Sequence, residues 1–148
     1  MSLKKALLRE SITPELKGAT KDAVIEELVD LLVAAGRIKD RLAALRAVLE
    51  RERKMSTGMQ NGIAIPHGKT ETTDCLVTAL GIKRAGVDFD SLDGQPARIF
   101  VMTLSPENRT GPHIQFLAEI SRQLNDPTIR DRLLQATTAD EILKILAD

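Results

Sequence analysis

The chain of 148 residues is poor in cysteine and in aromatic side chains. Its one cysteine, Cys75, excludes an internal disulfide and a cysteine-cluster metal site. With no Trp, no Tyr and three Phe, the sequence lacks the rings that stack on nucleic-acid bases or sugars. Lys+Arg and Asp+Glu number 21 each, so no excess of positive charge attracts nucleic acid or anionic lipid. The composition therefore favours neither a cysteine-based metal protein nor a protein that binds nucleic acid, sugar rings or anionic lipid.

The sequence also lacks a long apolar run, because no segment approaches the ~20 apolar residues that a membrane-spanning helix needs. The N-terminal stretch MSLKKALLRESITPEL has neither a sustained apolar core nor a small-residue cleavage site, and so does not indicate a secretory signal. Apolar residues make up 43% of the chain and charged residues 28%, the balance of a globular protein. We therefore expect a single cytoplasmic domain over residues 1–148.

Helical patterns occupy the first third of the chain. Thr20 is placed to cap a helix that Gly36 would end, and Asp40 is placed to cap a second helix. Behind each cap, apolar residues recur at the spacing of one helix face. These two stripes contain Val24, Ile25, Leu28, Leu31 and Leu32, then Leu42, Leu45, Val48 and Leu49.

Extended patterns follow in the middle of the chain. A short extended piece at Ile63 and Ile65 precedes Pro66, which disfavours helical backbone in the residue before it. The segments Cys75–Arg84 and Ala97–Ser105 predict strands, and the second is apolar enough to be a central one.

The last third returns to helical patterns. Pro112 suits the first position of a helix, the run Asn125-Asp126-Pro127 breaks that helix, and Thr138 with Glu141 forms a capping box for the last helix. The order helix, helix, strands, helices predicts an α/β (α+β) sandwich, in which helices flank a small mixed β-sheet on both sides.

His67 is the first candidate for chemistry, because it follows a predicted strand and stands between Pro66 and Gly68. At a strand end the sheet holds the backbone while the side chain stays accessible. A neutral imidazole is a competent nucleophile near pH 7 and can carry a phosphoryl group on nitrogen. On position alone, a histidine in a surface loop is the alternative.

His113 is the second candidate, since it follows Pro112 and so falls in the first turn of the predicted helix. Free N–H groups and the positive end of the helix dipole attract an anion there. The same field disfavours imidazolium, so this side chain could donate to a phosphate as a neutral group. The alternative is a solvent-facing polar residue at a helix start.

Arg51 and the segment after it offer groups that suit a phosphate. A guanidinium makes planar, bidentate hydrogen bonds to phosphate oxygens, although an arginine at a helix end is also favourable for the helix alone. Ser56, Thr57 and Gly58 could add a hydroxyl and backbone amides, although such residues also mark simple turns.

Other chemistries find little support in the pattern. Two distant histidines without a carboxylate at ligand spacing do not indicate a metal site. The GxSxG elbow of a serine hydrolase is absent, and so are the GxxxxGK[ST] and GxGxxG loops of nucleotide-binding proteins.

Taken together, these residues resemble a known pattern. The stretch RERKMSTGMQNGIAIPHG, Arg51 to Gly68, is similar to the phosphorylation-site region of the mannitol/fructose and nitrogen-regulatory (type 2) EIIA domains of the bacterial phosphoenolpyruvate:sugar phosphotransferase system. The likeness continues through Val87–Pro106, His113–Leu124 and the closing TTADEILKIL, and so covers nearly the whole chain in the right order. One departure is Met59-Gln60, where many relatives carry a small or β-branched residue and Gly.

The resemblance implies a role for each candidate residue. His67 matches the histidine that accepts a phosphoryl group from the phosphocarrier HPr, or from its nitrogen-branch relative, and passes it on. His113 matches the second active-site histidine, and Arg51 matches the arginine of the family's RExxxST motif. Thr57 occupies the position of a site hydroxyl, and the loop Ser56–Gly58 is expected to bind phosphate. No metal or nucleotide cofactor is implied, because the incoming phosphate is already activated on a protein histidine.

The resemblance leaves two roles open. In fructose or mannitol uptake, His67 would hand its phosphoryl group to a cysteine of an EIIB domain; in nitrogen regulation, the phosphorylation state would control the binding of target proteins. The sequence contains neither an EIIB domain nor a membrane segment, so we expect it to act on separate proteins. A third possibility is a non-catalytic binding module on the same scaffold, which the joint presence of His67, His113 and Arg51 disfavours.

Overall fold

One mixed sheet and five helices make up the part of the chain that the computed structural model describes, residues 7–108 and 110–147. The strands are β1 (Leu7–Thr13), β2 (Ile63–Ala64), β3 (His67–Lys69), β4 (Val77–Val87) and β5 (Ala97–Ser105). The helices are α1 (Lys21–Ala34), α2 (Arg41–Lys54), α3 (Thr110–Leu124), α4 (Pro127–Gln135) and α5 (Ala139–Ala147). Among these described helices, none combines the length and the apolar character needed to cross a bilayer.

The sheet has the order β1-β4-β5-β2, and β3 also pairs with β5. β4 and β5 are antiparallel, whereas β1 runs parallel to β4, and β2 and β3 run parallel to β5. β5 is therefore central, as its apolar sequence predicts. β2 and β3 form an interrupted strand at the edge of the sheet, and the carbonyl of Pro66 between them accepts from Thr103 N at 3.0 Å.

Helices cover both faces of the sheet, which confirms the predicted sandwich. Alternate residues of β5 point to opposite sides, since successive side chains of a strand do so. Ile99 and Val101 belong to the core cluster that contains Phe116 of α3. Phe100 belongs to a second cluster with Val48 of α2 and the apolar residues of α1. The fold thus has two hydrophobic cores, one on each side of the sheet.

Local capping signals are confirmed residue by residue. Thr20 Oγ1 accepts from Ala23 N at 3.2 Å and Asp40 Oδ1 accepts from Ala43 N at 3.1 Å, each satisfying an N–H group that the helix itself leaves free. Gly36 has a φ of +73°, the left-handed conformation that ends many helices. The strand β5 has the predicted bounds, whereas β4 begins and ends later than the predicted Cys75–Arg84.

The strand β1 is the main difference from the sequence-based expectation, which placed only helices in the first third. Leu7 and Ile12 pair in parallel with Thr78 and Leu80 of β4, with an irregular register between the two pairs. A parallel strand depends on a partner far along the chain, and the irregularity interrupts the period-2 pattern that would reveal it. The predicted element order is therefore wrong at its start, where a strand precedes the two helices.

Candidate active site

His67 and His113 come from distant parts of the chain and meet beside the edge of the sheet. Their ring centroids are 5.5 Å apart and the ring planes are tilted by 52°. His67 opens β3 and pairs in parallel register with Thr103, so both side chains lie on the face that α3 covers. Since His113 is the fourth residue of α3, its side chain reaches down onto that face.

A hydrogen bond from the ring to the backbone orients the His67 side chain. The distance from His67 Nδ1 to the carbonyl oxygen of Ile65 is 3.0 Å. Because a carbonyl oxygen can only accept, Nδ1 must carry the proton, and the neutral ring then has its lone pair on Nε2. His67 is half-buried, so the residue keeps part of its surface exposed to solvent. In this tautomer Nε2 is the ring nitrogen with a free lone pair.

His113 is a buried histidine and not a solvent-facing one, since the residue is only 7% exposed. Its Nε2 lies 2.9 Å from Thr103 Oγ1. Burial, together with the nearby His67 and the positive charge of Lys69, lowers the pKa of His113 from 6.5 to about 4. The expected neutral state is thus present, mainly because the charged form is costly to bury.

Lys69 is a third residue at this place that the sequence pattern did not reveal. It pairs in register with Ser105 and lies two residues after His67, so the two side chains share one face of β3. Its Nζ is buried and has no hydrogen-bond partner among the described residues. The period-2 alternation of an extended segment would have found it, given that Pro66 directs His67 into a strand.

Arg51 lies near the end of α2, the helix that packs on the edge strand β3. The helix packs closely on β3, since a Cβ added to Gly68 would lie 3.0 Å from backbone atoms of Ala47 and Val48. Arg51 follows Ala47 by about one helical turn. Its Nη1 donates to the carbonyl oxygen of Met55 at 2.8 Å. The structure therefore brings the two histidines together, whereas it shows Arg51 bound to its own helix end.

The loop Ser56–Gly58 has its polar groups engaged within the protein. The N–H and hydroxyl of Thr57 donate to the Glu52 carboxylate at 2.7 and 2.5 Å. The Ser56 hydroxyl donates to the carbonyl of Phe89 at 2.5 Å, and Gly58 N–H donates to Ser56 Oγ at 3.0 Å. The phosphate-binding role of this loop stays a prediction, because binding would require these donors to leave their present partners.

Glu52 holds this loop in place through Thr57, a contact that the sequence pattern did not reveal. The carboxylate is buried and forms a 3.0 Å ion pair with Lys21 Nζ of α1. The carbonyl of Thr57 in turn accepts from Ile65 N at 3.1 Å, which ties the loop to the segment that orients His67. A glutamate directly after Arg51 and five residues before Thr57 was the available signal.

Comparison with known proteins identifies the family of the chain. Residues 5–148 match the model of the family described as phosphoenolpyruvate-dependent sugar phosphotransferase system, EIIA 2. The chain belongs to this EIIA family.

Its relatives fall into two groups. The chain is 41% identical over 139 residues to a fructose-specific EIIA component from Haloferax volcanii, covering 94% of this chain and 90% of that protein. It is 38% identical to a fructose-specific EIIABC component from Bacillus subtilis, covering 99% of this chain but only 23% of that longer protein. It is also 33% identical to a nitrogen regulatory protein from Pseudomonas aeruginosa, covering 95% of each.

Solved structures confirm the fold of this EIIA chain. The nitrogen regulatory protein IIA-Ntr from Neisseria meningitidis superposes with a TM-score of 0.88 at 29% identity, covering 96% of this chain and 97% of that one. The mannitol enzyme IIA from Escherichia coli, in its complex with phosphorylated mannitol enzyme IIB, gives a TM-score of 0.81 at 28% identity, covering 95% of this chain and 96% of that one. The mixed sheet between helical layers is therefore the EIIA fold.

Proposed function

We propose that this EIIA domain is a phosphocarrier, which accepts a phosphoryl group on His67 Nε2 from phospho-HPr and passes it to a cysteine of an EIIB domain. The carrying observation is the hydrogen bond from His67 Nδ1 to the Ile65 carbonyl, because it leaves the lone pair on Nε2. The proposal includes a cytoplasmic location and a fructose- or mannitol-type sugar as the final acceptor.

The transfer needs no cofactor, since the phosphoryl group arrives activated on a histidine of the donor. The Nε2 lone pair of His67 attacks phosphorus, the donor P–N bond breaks, and the donor imidazole keeps the electron pair. In the second step an EIIB thiolate attacks the same phosphorus, and the pair of the P–Nε2 bond returns to His67. Such in-line transfers depend mostly on positioning and on stabilisation of the phosphoryl oxygens.

His113 serves this chemistry as a neutral hydrogen-bond donor. In the proposal, the Thr103 hydroxyl donates to His113 Nε2, so that the proton of the imidazole is on Nδ1 and can face a phosphoryl oxygen. The lowered pKa of His113 supports this role, because the ring stays uncharged near pH 7. Arg51 would supply positive charge from α2, after exchanging the Met55 carbonyl for a phosphoryl oxygen.

The acceptor is inferred from the relatives. The Bacillus subtilis protein is an EIIABC component, and the Escherichia coli mannitol enzyme IIA was solved with phosphorylated enzyme IIB. The fructose-specific relative from Haloferax volcanii, at 41% identity, spans nearly the same length as this chain. These likenesses support an EIIB partner and a fructose-type route.

A regulatory role is the second candidate, in which the phosphorylation state of His67 controls binding to target proteins. It is favoured by the TM-score of 0.88 with the IIA-Ntr structure and by the nitrogen regulatory relatives. The two candidates share the first chemical step and differ in the second. Transfer of the phosphoryl group from His67 to a fructose-type EIIB would support the transport role. Failure of that transfer, together with a preference for a nitrogen-branch carrier as donor, would support the regulatory role.

The test is phosphorylation of the purified chain by phosphoenolpyruvate, enzyme I and HPr, or the nitrogen-branch carriers, followed by intact mass measurement. We expect a gain of one acid-labile phosphoryl group, no gain in His67→Gln, and a rate lower by about 10²–10³-fold in His113→Leu. A gain that persists in His67→Gln would assign the phosphate elsewhere. No gain with either carrier would favour the non-catalytic binding module.

A further inference from the structure

Lys69 is a half-buried residue at the candidate active site whose Nζ is itself buried, with no carboxylate at ion-pair distance among the described residues. Its Nζ has no hydrogen-bond partner among the described residues, and it takes part in none of the ion pairs found there. Ser105 Oγ, in register with Lys69, is likewise buried without a hydrogen-bond partner among the described residues. A buried ammonium without a compensating anion is strongly unfavourable, so the site is built for negative charge.

Lys69 lies close to His67, the residue on which a negatively charged phosphoryl group would be bound. His67 and Lys69 are two residues apart on β3 and share a face, a separation of roughly 6.5 Å along the strand. The flexible four-carbon stem of lysine can cover this distance. Lys69 is also close enough to His113 for its positive charge to contribute to the lowered pKa of that ring.

We propose that Lys69 Nζ binds a phosphoryl oxygen of phosphorylated His67, and that this pairing stabilises the phosphorylated domain over the unphosphorylated one. The inference rests on the proposed function and adds to it a phosphate-binding residue. Since His113 is neutral, Lys69 supplies positive charge from the sheet side of the site. The ammonium is unpaired before transfer and paired after it, so the charge favours loading of His67 by the donor.

The experiment measures the equilibrium constant for phosphoryl exchange between HPr and the domain, by intact mass at several mixing ratios. Lys69→Met keeps the length of the side chain and removes the charge, Lys69→Arg keeps the charge, and Lys39→Met is a matched control on an exposed lysine. We expect Lys69→Met to lower the constant about tenfold to a hundredfold, as for loss of a hydrogen bond to a charged group. Lys69→Arg should restore most of it, and the control should match the wild type.

Two further measurements separate this role from a structural one. The ³¹P resonance of phosphorylated His67 should move in Lys69→Met but not in Lys39→Met. The unphosphorylated Lys69→Met variant should unfold at the same or a higher denaturant concentration than the wild type, because an unpaired charge has been removed; a large loss of stability would reveal a structural partner and overturn the inference.

The outcomes also distinguish the two proposals. If the wild type is phosphorylated, His67→Gln is not, and Lys69→Met has an exchange constant within twofold of the wild type, the role of Lys69 is wrong and the phosphocarrier stands. If the wild type accepts no phosphoryl group from either carrier, both proposals fall.

Discussion

The buried His113 ring makes the stability of this protein depend on pH. Burial is the main cause that lowers the pKa of His113 from 6.5 to about 4. Between these two values the unfolded chain binds a proton that the folded protein does not bind, so a falling pH favours unfolding. The stability that comes from the neutral ring is complete above about pH 6.5 and is lost as the pH falls towards about 4.

The magnitude follows from the shift in pKa. A change from 6.5 to about 4 corresponds to roughly 3 kcal/mol of unfolding free energy, because one pKa unit is worth about 1.4 kcal/mol. About 2 kcal/mol of this is lost between neutral pH and about pH 5. Carboxylates add their own acid dependence, so the contribution of His113 must be isolated by comparison with a variant that has no titratable group there.

His113→Gln is that variant, since an amide does not titrate and can still bond to Thr103. Denaturant unfolding of both proteins between about pH 7.5 and 5 gives two curves of free energy against pH. We expect the wild-type curve to fall more steeply, by about 2 kcal/mol at the acid end. An NMR titration of the His113 ring should show no protonation above about pH 5. Parallel curves, or a ring that titrates near 6.5, would refute the argument that burial keeps His113 neutral.

Three further changes test the elements that hold the site. Glu52→Gln removes the charge that binds Thr57 and Lys21, and the free energy of unfolding in denaturant should fall by about 3 kcal/mol or more. This loss should be smaller when Lys21→Met is added, because the lysine is then no longer left without its partner. Gly68→Ala places a Cβ 3.0 Å from the backbone of α2. The free energy of unfolding should fall by about 1–3 kcal/mol, and His67 should be phosphorylated more slowly in the transfer assay. Unchanged values in both assays would contradict the close packing. Asp40→Ala removes the α2 cap and should cost about 1 kcal/mol in the same unfolding assay, with no effect on phosphorylation at saturating donor.

Much of the fold was predictable because its signals are local. The caps at Thr20 and Asp40 bond to N–H groups three residues away, so the sequence nearby contains both partners. The apolar run of β5 likewise indicates a central strand without reference to its neighbours. β1 was missed for the opposite reason, because its pairing with β4 joins segments far apart in the chain and its register is irregular.

The candidate site was predictable in its residue types but not in its hydrogen bonds. The IPHG segment and the later histidine pointed to His67 and His113, and the fold brings their rings to 5.5 Å. The loop Ser56–Gly58 carries hydroxyls that suit a phosphate, yet the structure gives them to Glu52 and to a backbone carbonyl. The sequence shows that hydroxyl donors are present in this loop, whereas only the packing of the folded chain decides which acceptors they bond to.

By itself, the sequence determined the chemistry available to this protein: a histidine delivered in extended backbone after Pro66, a second histidine at a helix start, and no cysteine cluster or nucleotide loop. Tertiary structure alone decided the states of these groups. It placed His113 Nε2 against the Thr103 hydroxyl of β5, buried the His113 side chain, and brought the His67 and His113 rings together from distant parts of the chain. The physical reason is that protonation and charge pairing depend on desolvation and on atoms contributed by distant segments, and neither has a local pattern in the sequence.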